Sequence, residues 1–218
     1  EAVSTYLSLA LSRLTDICNG LCRWENTKTQ VRNLFGRQAI PMMWDFAENN
    51  VFGSAAGDYI TSLGSMCKAL DEMPARGSGH VQQQGAQGQV ISQRKVVSTD
   101  PPYYDNIGYA DLSDFFYVWL RRTLRGVYPS LFATVAVPKA EELVATPYRH
   151  GNKEGAEKFF LDGMTAAMHN LAKQAHGAFP VSIYYAFKQS ETKNAGTSST
   201  GWETFLAAVI RAGFAICG

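Results

Sequence analysis

The chain has 218 residues, of which 46% are hydrophobic, enough for one domain with a core or for one domain and a small lobe. Its 20 Lys and Arg against 19 Asp and Glu leave a net charge of +1. This excludes a nucleic-acid-binding protein that is basic over its whole surface, so any DNA contact must come from local patches. Four Cys do not make a disulfide scaffold, and no apolar run approaches the roughly 18 residues of a membrane span. We expect a cytoplasmic protein with reduced thiols, and no membrane partner.

The first third of the chain alternates helical and irregular segments. Apolar residues at i, i+3 and i+4 predict one helix over residues 3–17 and another over 58–72. Residues 74–88 are rich in Gly, Gln and Ser, which predicts a weakly ordered loop.

Residues 21–50 mix aromatic with basic side chains. Between residues 13 and 37, five Lys or Arg stand against two acids, a local excess of +3. Such a mixture is typical of a nucleic-acid surface. It is equally typical of an irregular piece of core whose basic side chains extend their charged ends to solvent. The candidate phosphate contacts here are Arg23, Lys28, Arg32 and Arg37.

In the rest of the chain, predicted strands alternate with predicted helices. The predicted strands cover residues 89–92, 95–99, 180–187 and 214–217. The predicted helices cover residues 111–125, 155–174 and 202–212, with a polar loop at 189–200. This alternation favours an α/β layered domain with a largely parallel sheet.

One motif carries chemistry, the sequence Thr-Asp-Pro-Pro-Tyr-Tyr-Asp at residues 99–105, directly after a predicted strand. Ligands of open α/β sheets bind beyond the carboxyl ends of the strands. Two successive prolines fix φ and remove two N–H donors, which leaves carbonyl acceptors in a rigid loop. A carboxylate, such carbonyls and an aromatic face suit a planar ring bearing an amine, for example a nucleobase flipped out of a duplex. A simple turn is the other interpretation.

The tetrapeptide Asp100-Pro101-Pro102-Tyr103 resembles the catalytic motif of DNA amino-methyltransferases, which use S-adenosylmethionine to methylate an exocyclic amine. The longer stretch over residues 96–120 is similar to a family of adenine-specific DNA methylases long classed as a domain of unknown function. Residues 32–39 and 44–48 resemble a second block of that family. The resemblance extends from about residue 5 to the end, and it implies a Rossmann-like S-adenosylmethionine-dependent methyltransferase fold.

The resemblance also implies a role for each residue of the tetrapeptide. Asp100 would accept a hydrogen bond from the target amine, and the carbonyl of Pro101 would accept the second one. Pro102 would hold that geometry, and Tyr103 would stack on the flipped adenine. The implied chemistry is a direct in-line transfer that needs no metal and depends mostly on positioning. Methylation of the cytosine amine or of RNA stays open, as does a non-catalytic remnant or DNA-binding module.

The family's site for the methyl donor is not found in this sequence. That site uses a Gly-rich turn after the first strand, whereas the Gly-rich residues 52–58 and 77–79 follow no predicted strand. The resemblance therefore implies an internal fragment whose fold lacks its first strands and last hairpin, and whose partner is the missing upstream segment of a parent protein. We expect a family-specific, DNA-contacting segment over 1–88 and the catalytic half of the domain over 89–218.

A zinc site is the remaining alternative, because Cys18 and Cys22 are four residues apart. No second pair lies near them, and the four His show no ligand spacing. We expect buried or half-buried thiols and no metal.

Overall fold

A computed structural model describes residues 1–73, 76–105, 107–186 and 200–217. These residues form an α/β structure with five α-helices, one short 3₁₀-helix and four two-residue strands. The α-helices are α1 (Ala2–Thr15), α2 (Tyr59–Glu72), α3 (Tyr109–Leu124), α4 (Lys153–Gln174) and α5 (Thr200–Arg211). The strands are β1 (Trp24–Glu25), β2 (Gln30–Val31), β3 (Ser98–Thr99) and β4 (Ser182–Ile183), and the 3₁₀-helix is Pro147–Arg149.

All five predicted helices are confirmed, whereas the strands are fewer and shorter than predicted. The strands predicted at 95–99 and 180–187 are present, but each is only two residues long, as β3 and β4. The strand predicted at 89–92 is wrong, because the Gln89 carbonyl accepts hydrogen bonds from the side chains of Asn170 and Gln174 on α4 instead of from a neighbouring strand. The strand predicted at 214–217 is also wrong. These residues form no strand, and the Phe214 N–H donates a hydrogen bond to the carbonyl of Val209 in α5.

Two predicted loops fall partly outside the described residues. Of the loop predicted at 74–88, residues 76–88 are described and contain no helix or strand. The polar loop predicted at 189–200 lies outside the described residues, except for position 200, where α5 begins.

The described chain divides into two compact units. The first unit combines residues 1–81 with 109–138, and the second combines 82–108 with 139–218. The boundary at residue 88 that we expect from the sequence does not coincide with this division, because α3 packs against α1 and therefore belongs to the first unit. The assignment of a catalytic half to residues 89–218 stays a prediction.

In the first unit, α1 packs against both α2 and α3, with Ala10 and Leu14 buried. The side chain of Asp58 caps α2 by accepting a hydrogen bond from the Thr61 N–H at 2.6 Å. Strands β1 and β2 form an antiparallel hairpin in which Trp24 lies opposite Val31.

In the second unit, β3 and β4 form a parallel pair in which Thr99 lies opposite Ile183. Because side chains alternate across a strand, one face of the pair contacts the core and the other is exposed. Helices α4 and α5 cover the core face around Phe160, which is 0% exposed, and around Phe205 and Ala208. Two strands are fewer than a Rossmann-like sheet requires, so that finer assignment stays a proposal.

In the described part of the chain, no helix has both the length and the apolar character that crossing a membrane demands.

Candidate functional site

The tetrapeptide leaves the carboxyl end of β3, where the sequence predicts it. Thr99 is the last residue of β3, and its carbonyl accepts a hydrogen bond from the N–H of Tyr184 at 2.8 Å, which continues the parallel ladder. The side chains then follow the alternation of the strand: Asp100 is exposed, and Pro101 is buried. Tyr103 is half-buried. The Asp100 carboxylate is therefore open to solvent, while the next residue, Pro101, is buried and anchors the backbone.

Two consecutive tyrosines attach this loop to the rest of the second unit. The Tyr104 N–H donates to the phenol oxygen of Tyr185 at 3.1 Å, and the Tyr104 carbonyl accepts from the N–H of Ala145 at 2.8 Å. The ring of Tyr103 meets the ring of Tyr185 edge-on, with 5.6 Å between the ring centroids. We call residues 100–104 the motif loop.

Tyr104 is the buried anchor of the motif loop. Its φ of +29° lies in the left-handed region, which is uncommon for a residue other than glycine and persists only where the surroundings enforce it. Its ring lies edge-on to Phe160 at 5.2 Å between centroids. On another side, the ring lies so close to the backbone of Gly201 that a Cβ there would stand 2.9 Å from a ring carbon.

The phenol of Tyr104 is electrostatically unusual. Its oxygen is buried, and no described group meets hydrogen-bond geometry with it, although the Glu157 carboxylate is near enough to affect it. Burial raises the pKa of this phenol well above its ordinary value of 10.0, and the nearby Glu157 carboxylate raises it further. Tyr104 therefore stays protonated in the folded chain at neutral pH and acts as a packing residue.

From the sequence we also expect Asp100 and Tyr103 to face one cleft. Neither residue lines either of the two cavities described below, so the shared cleft stays a prediction. One cavity, of about 620 Å³, lies in the second unit among α4, β4 and α5, and is mostly apolar. The other, of about 340 Å³, lies in the first unit and is described next.

The smaller cavity brings together two of the four candidate phosphate contacts. Arg23 and Arg37 line it with Asn33, and apolar residues such as Leu34 and Met42 complete its wall. Within the described ranges, no carboxylate lies at ion-pair distance from either arginine. We call this the basic cavity. Two uncompensated guanidinium groups in one concave surface suit an anion such as phosphate.

The other two basic candidates are placed differently. Arg32 forms an ion pair with Glu25, with 2.9 Å between Nε and Oε2, so its charge is compensated locally. Lys28 lies exposed in the turn that joins β1 to β2. The structure therefore separates the four predicted residues into two that line a cavity, one that is paired and one that stands on a turn.

The described residues offer no assigned site for S-adenosylmethionine. Residues 52–58 form turns that end at the helix cap Asp58, and no strand directly precedes them. This agrees with the sequence, in which residues 52–58 follow no predicted strand and stand before the helix predicted at 58–72. Residues 77–79 lie in the long loop after helix α2 and not directly after a strand.

The cysteines do not form a metal site in the described part of the chain, which holds no cluster of three or more potential ligands. Helix α1 ends at Thr15, so Cys18 and Cys22 are not stacked on one helix face. Cys22 is fully buried, and its thiol donates to the carbonyl of Asp16 at 3.5 Å. Burial raises the pKa of this thiol, which keeps it protonated and unreactive.

Sequence reasoning missed two residues that hold the motif loop, Tyr185 and Gly201. Tyr185 was placed in a buried strand, but the sequence carries no signal for the partner of its hydroxyl group. Gly201 directly follows the predicted polar loop at 189–200, and its contact with Tyr104 joins positions far apart in the chain.

No family model, no curated protein and no solved structure matches the chain.

Proposed function

We propose that this chain carries the base-positioning part of a DNA methyltransferase, which transfers a methyl group from S-adenosylmethionine to the exocyclic amine of adenine. The observation that supports the proposal is the position of the motif loop, at the carboxyl end of β3 beside the parallel strand β4. Ligands of α/β sheets bind at that end. The finer proposal for the fold, an incomplete Rossmann-like methyltransferase domain, rests on the same position.

In this proposal the motif loop orients the target amine. The exposed Asp100 carboxylate accepts a hydrogen bond from the amine and stabilises the positive charge that develops on its nitrogen. The Pro101 carbonyl accepts the amine's second hydrogen, so the nitrogen lone pair faces the incoming methyl group. Pro102 keeps this backbone rigid, and the Tyr103 ring stacks on the adenine. S-adenosylmethionine supplies the methyl group, and none of the described residues is assigned to hold it.

The DNA backbone is contacted by the basic cavity in the same proposal. Arg23 and Arg37 have no carboxylate partner among the described residues, so their charge is free to neutralise phosphate. Arg32 is a weaker candidate, because Glu25 already compensates its charge. Lys28 adds a further exposed charge at the tip of the hairpin.

A second candidate function is a DNA-binding module that has lost catalysis. It is favoured by one specific observation, the lack of a Gly-rich turn after a strand within the described ranges. The basic cavity serves this candidate equally well.

The experiment that separates the candidates is a methyl-transfer assay, performed on this chain and on the full product of its reading frame. The protein is incubated with S-adenosylmethionine carrying an isotope-labelled methyl group and with duplex DNA, and the digested nucleosides are analysed by mass spectrometry. Labelled N6-methyladenine is the expected product, and duplex DNA made only of G·C pairs is the control that should stay unlabelled. Label in cytosine instead would mean that the substrate is the cytosine amine. Salt-dependent DNA binding without any transfer would favour the non-catalytic module.

A further inference from the structure

Tyr185 lies two residues beyond β4 and is held firmly by the core of the second unit. Its ring stacks on Phe205 of α5, with 3.9 Å between the ring centroids and 6° between the ring planes. It is half-buried, on the face of the parallel pair that α4 and α5 cover. A phenol fixed in this way is a rigid support.

This support contacts both tyrosines of the motif loop. The Tyr185 hydroxyl accepts a hydrogen bond from the N–H of Tyr104 at 3.1 Å. The Tyr185 ring meets the ring of Tyr103 at 80°, with 5.6 Å between centroids. One side chain therefore fixes the backbone of one loop residue and the ring of the residue before it.

The backbone at Tyr104 needs such a support. Its φ of +29° is costly for a residue with a side chain, so it must be enforced by neighbouring contacts. Since the N–H of Tyr104 bonds to Tyr185, removal of that hydroxyl would leave a partly buried donor without its partner and release one restraint on the strained residue.

We propose that Tyr185 is a positioning residue for the motif loop and sets the angle of the Tyr103 ring. This inference rests on the proposed function, in which that ring stacks on the flipped adenine. Tyr185 acts through Tyr103 and Tyr104 and does not touch the reacting atoms.

The first test needs no methyl transfer. Amide hydrogen exchange of the peptides covering residues 100–108 is compared by mass spectrometry in the wild type, in Tyr185→Phe and in Tyr148→Phe. Tyr148 is the matched control, because it lies in the same unit and is 74% exposed. Tyr185→Phe keeps the ring and removes only the hydroxyl, so exchange in the motif loop should become about tenfold faster with α4 and α5 unchanged. Exchange in the loop equal to that of the wild type would overturn the inference.

The second test asks whether this support matters for the reaction. Tyr185→Phe should lower kcat for methyl transfer about fivefold to tenfold and leave KM for DNA unchanged. The reason is that the position of the loop affects how the base is aligned for in-line transfer and not how tightly the DNA binds. A raised KM with an unchanged kcat would contradict a positioning role. If the wild-type protein transfers no methyl group, the proposed function fails, and the exchange measurement alone decides whether Tyr185 fixes the loop.

Discussion

The motif loop of the second unit and residues 21–50 of the first unit carry the two halves of the proposed function, and they are built in opposite ways. The motif loop is fixed at three of its five residues: Pro101 and Tyr104 are buried, Tyr103 contacts the ring of Tyr185, and hydrogen bonds hold both the N–H and the carbonyl of Tyr104. The segment 21–50 has only a short hairpin of regular structure, and its apolar side chains include Trp44 at 92% exposure.

This difference follows from what each region has to do. In-line transfer to an amine requires atoms to be placed within a fraction of an ångström, so a base-positioning loop gains from rigid neighbours. Phosphate contact depends on charge and access, and it tolerates an irregular backbone. Substitutions in the motif loop should therefore act through shape, and substitutions in the basic cavity should act through charge.

Among the effects on DNA binding and stability, the largest is expected when the charge of the basic cavity is removed. The double substitution Arg23→Gln and Arg37→Gln should weaken binding to duplex DNA about a hundredfold at low salt and reduce the slope of log K against log salt by about 2. Fluorescence anisotropy over a series of salt concentrations measures both. The matched control, Lys68→Gln with Lys173→Gln, removes the same charge from exposed helical positions. Equal losses in both double variants would mean that only the net charge matters.

The next effect comes from the close approach of Gly201 to the ring of Tyr104. A methyl group at position 201 would stand 2.9 Å from a rigid ring, so Gly201→Ala should lower the free energy of unfolding by about 1 to 3 kcal/mol. Gly64→Ala is the control in another helix, where a Cβ meets nothing within 4 Å and where alanine should stabilise by about 0.5 to 1 kcal/mol. Urea denaturation measures both. A stabilising Gly201→Ala would show that Tyr104 is free to move.

The smallest effect is expected from the hydroxyl group of Tyr104. Because the Glu157 carboxylate is near this buried oxygen without meeting hydrogen-bond geometry, the cost of burying the hydroxyl group is incompletely offset, and Tyr104→Phe should raise the free energy of unfolding by about 1 kcal/mol at neutral pH. Since the pKa of Tyr104 is raised in the folded state, the unfolded chain loses this proton first as the pH rises past 10.0, which destabilises the wild type. The advantage of Tyr104→Phe should therefore widen above that pH, and an advantage that narrows there would contradict the assigned burial.

The helices and the place of the motif loop could be predicted from the sequence, because both depend on local signals. Apolar periodicity identifies each helix, and the motif directly follows a β-branched segment. The partners of those elements could not be predicted. The packing of α3 on α1, the pairing of Arg32 with Glu25 and the contact of Gly201 with Tyr104 all follow from how the chain folds back on itself.

The strands show the limit of local pattern most clearly. Residues 89–92 have a sequence compatible with a strand, yet the carbonyl of Gln89 is satisfied by side chains of α4 that lie about eighty residues further along the chain. A competing hydrogen-bond partner of this kind leaves no trace in the segment itself.

The central claim is that the carboxylate of Asp100 holds the target amine, and single-turnover methyl transfer by Asp100 variants tests it most directly. Asp100→Asn keeps an acceptor oxygen and loses the charge, so the rate should fall by about two orders of magnitude, whereas Asp100→Ala should abolish transfer. Asp71→Ala, an exposed carboxylate on α2, is the control that should keep the wild-type rate. The account predicts these losses in folded protein with unchanged DNA binding. Transfer by a folded Asp100→Ala variant at the wild-type rate would contradict it.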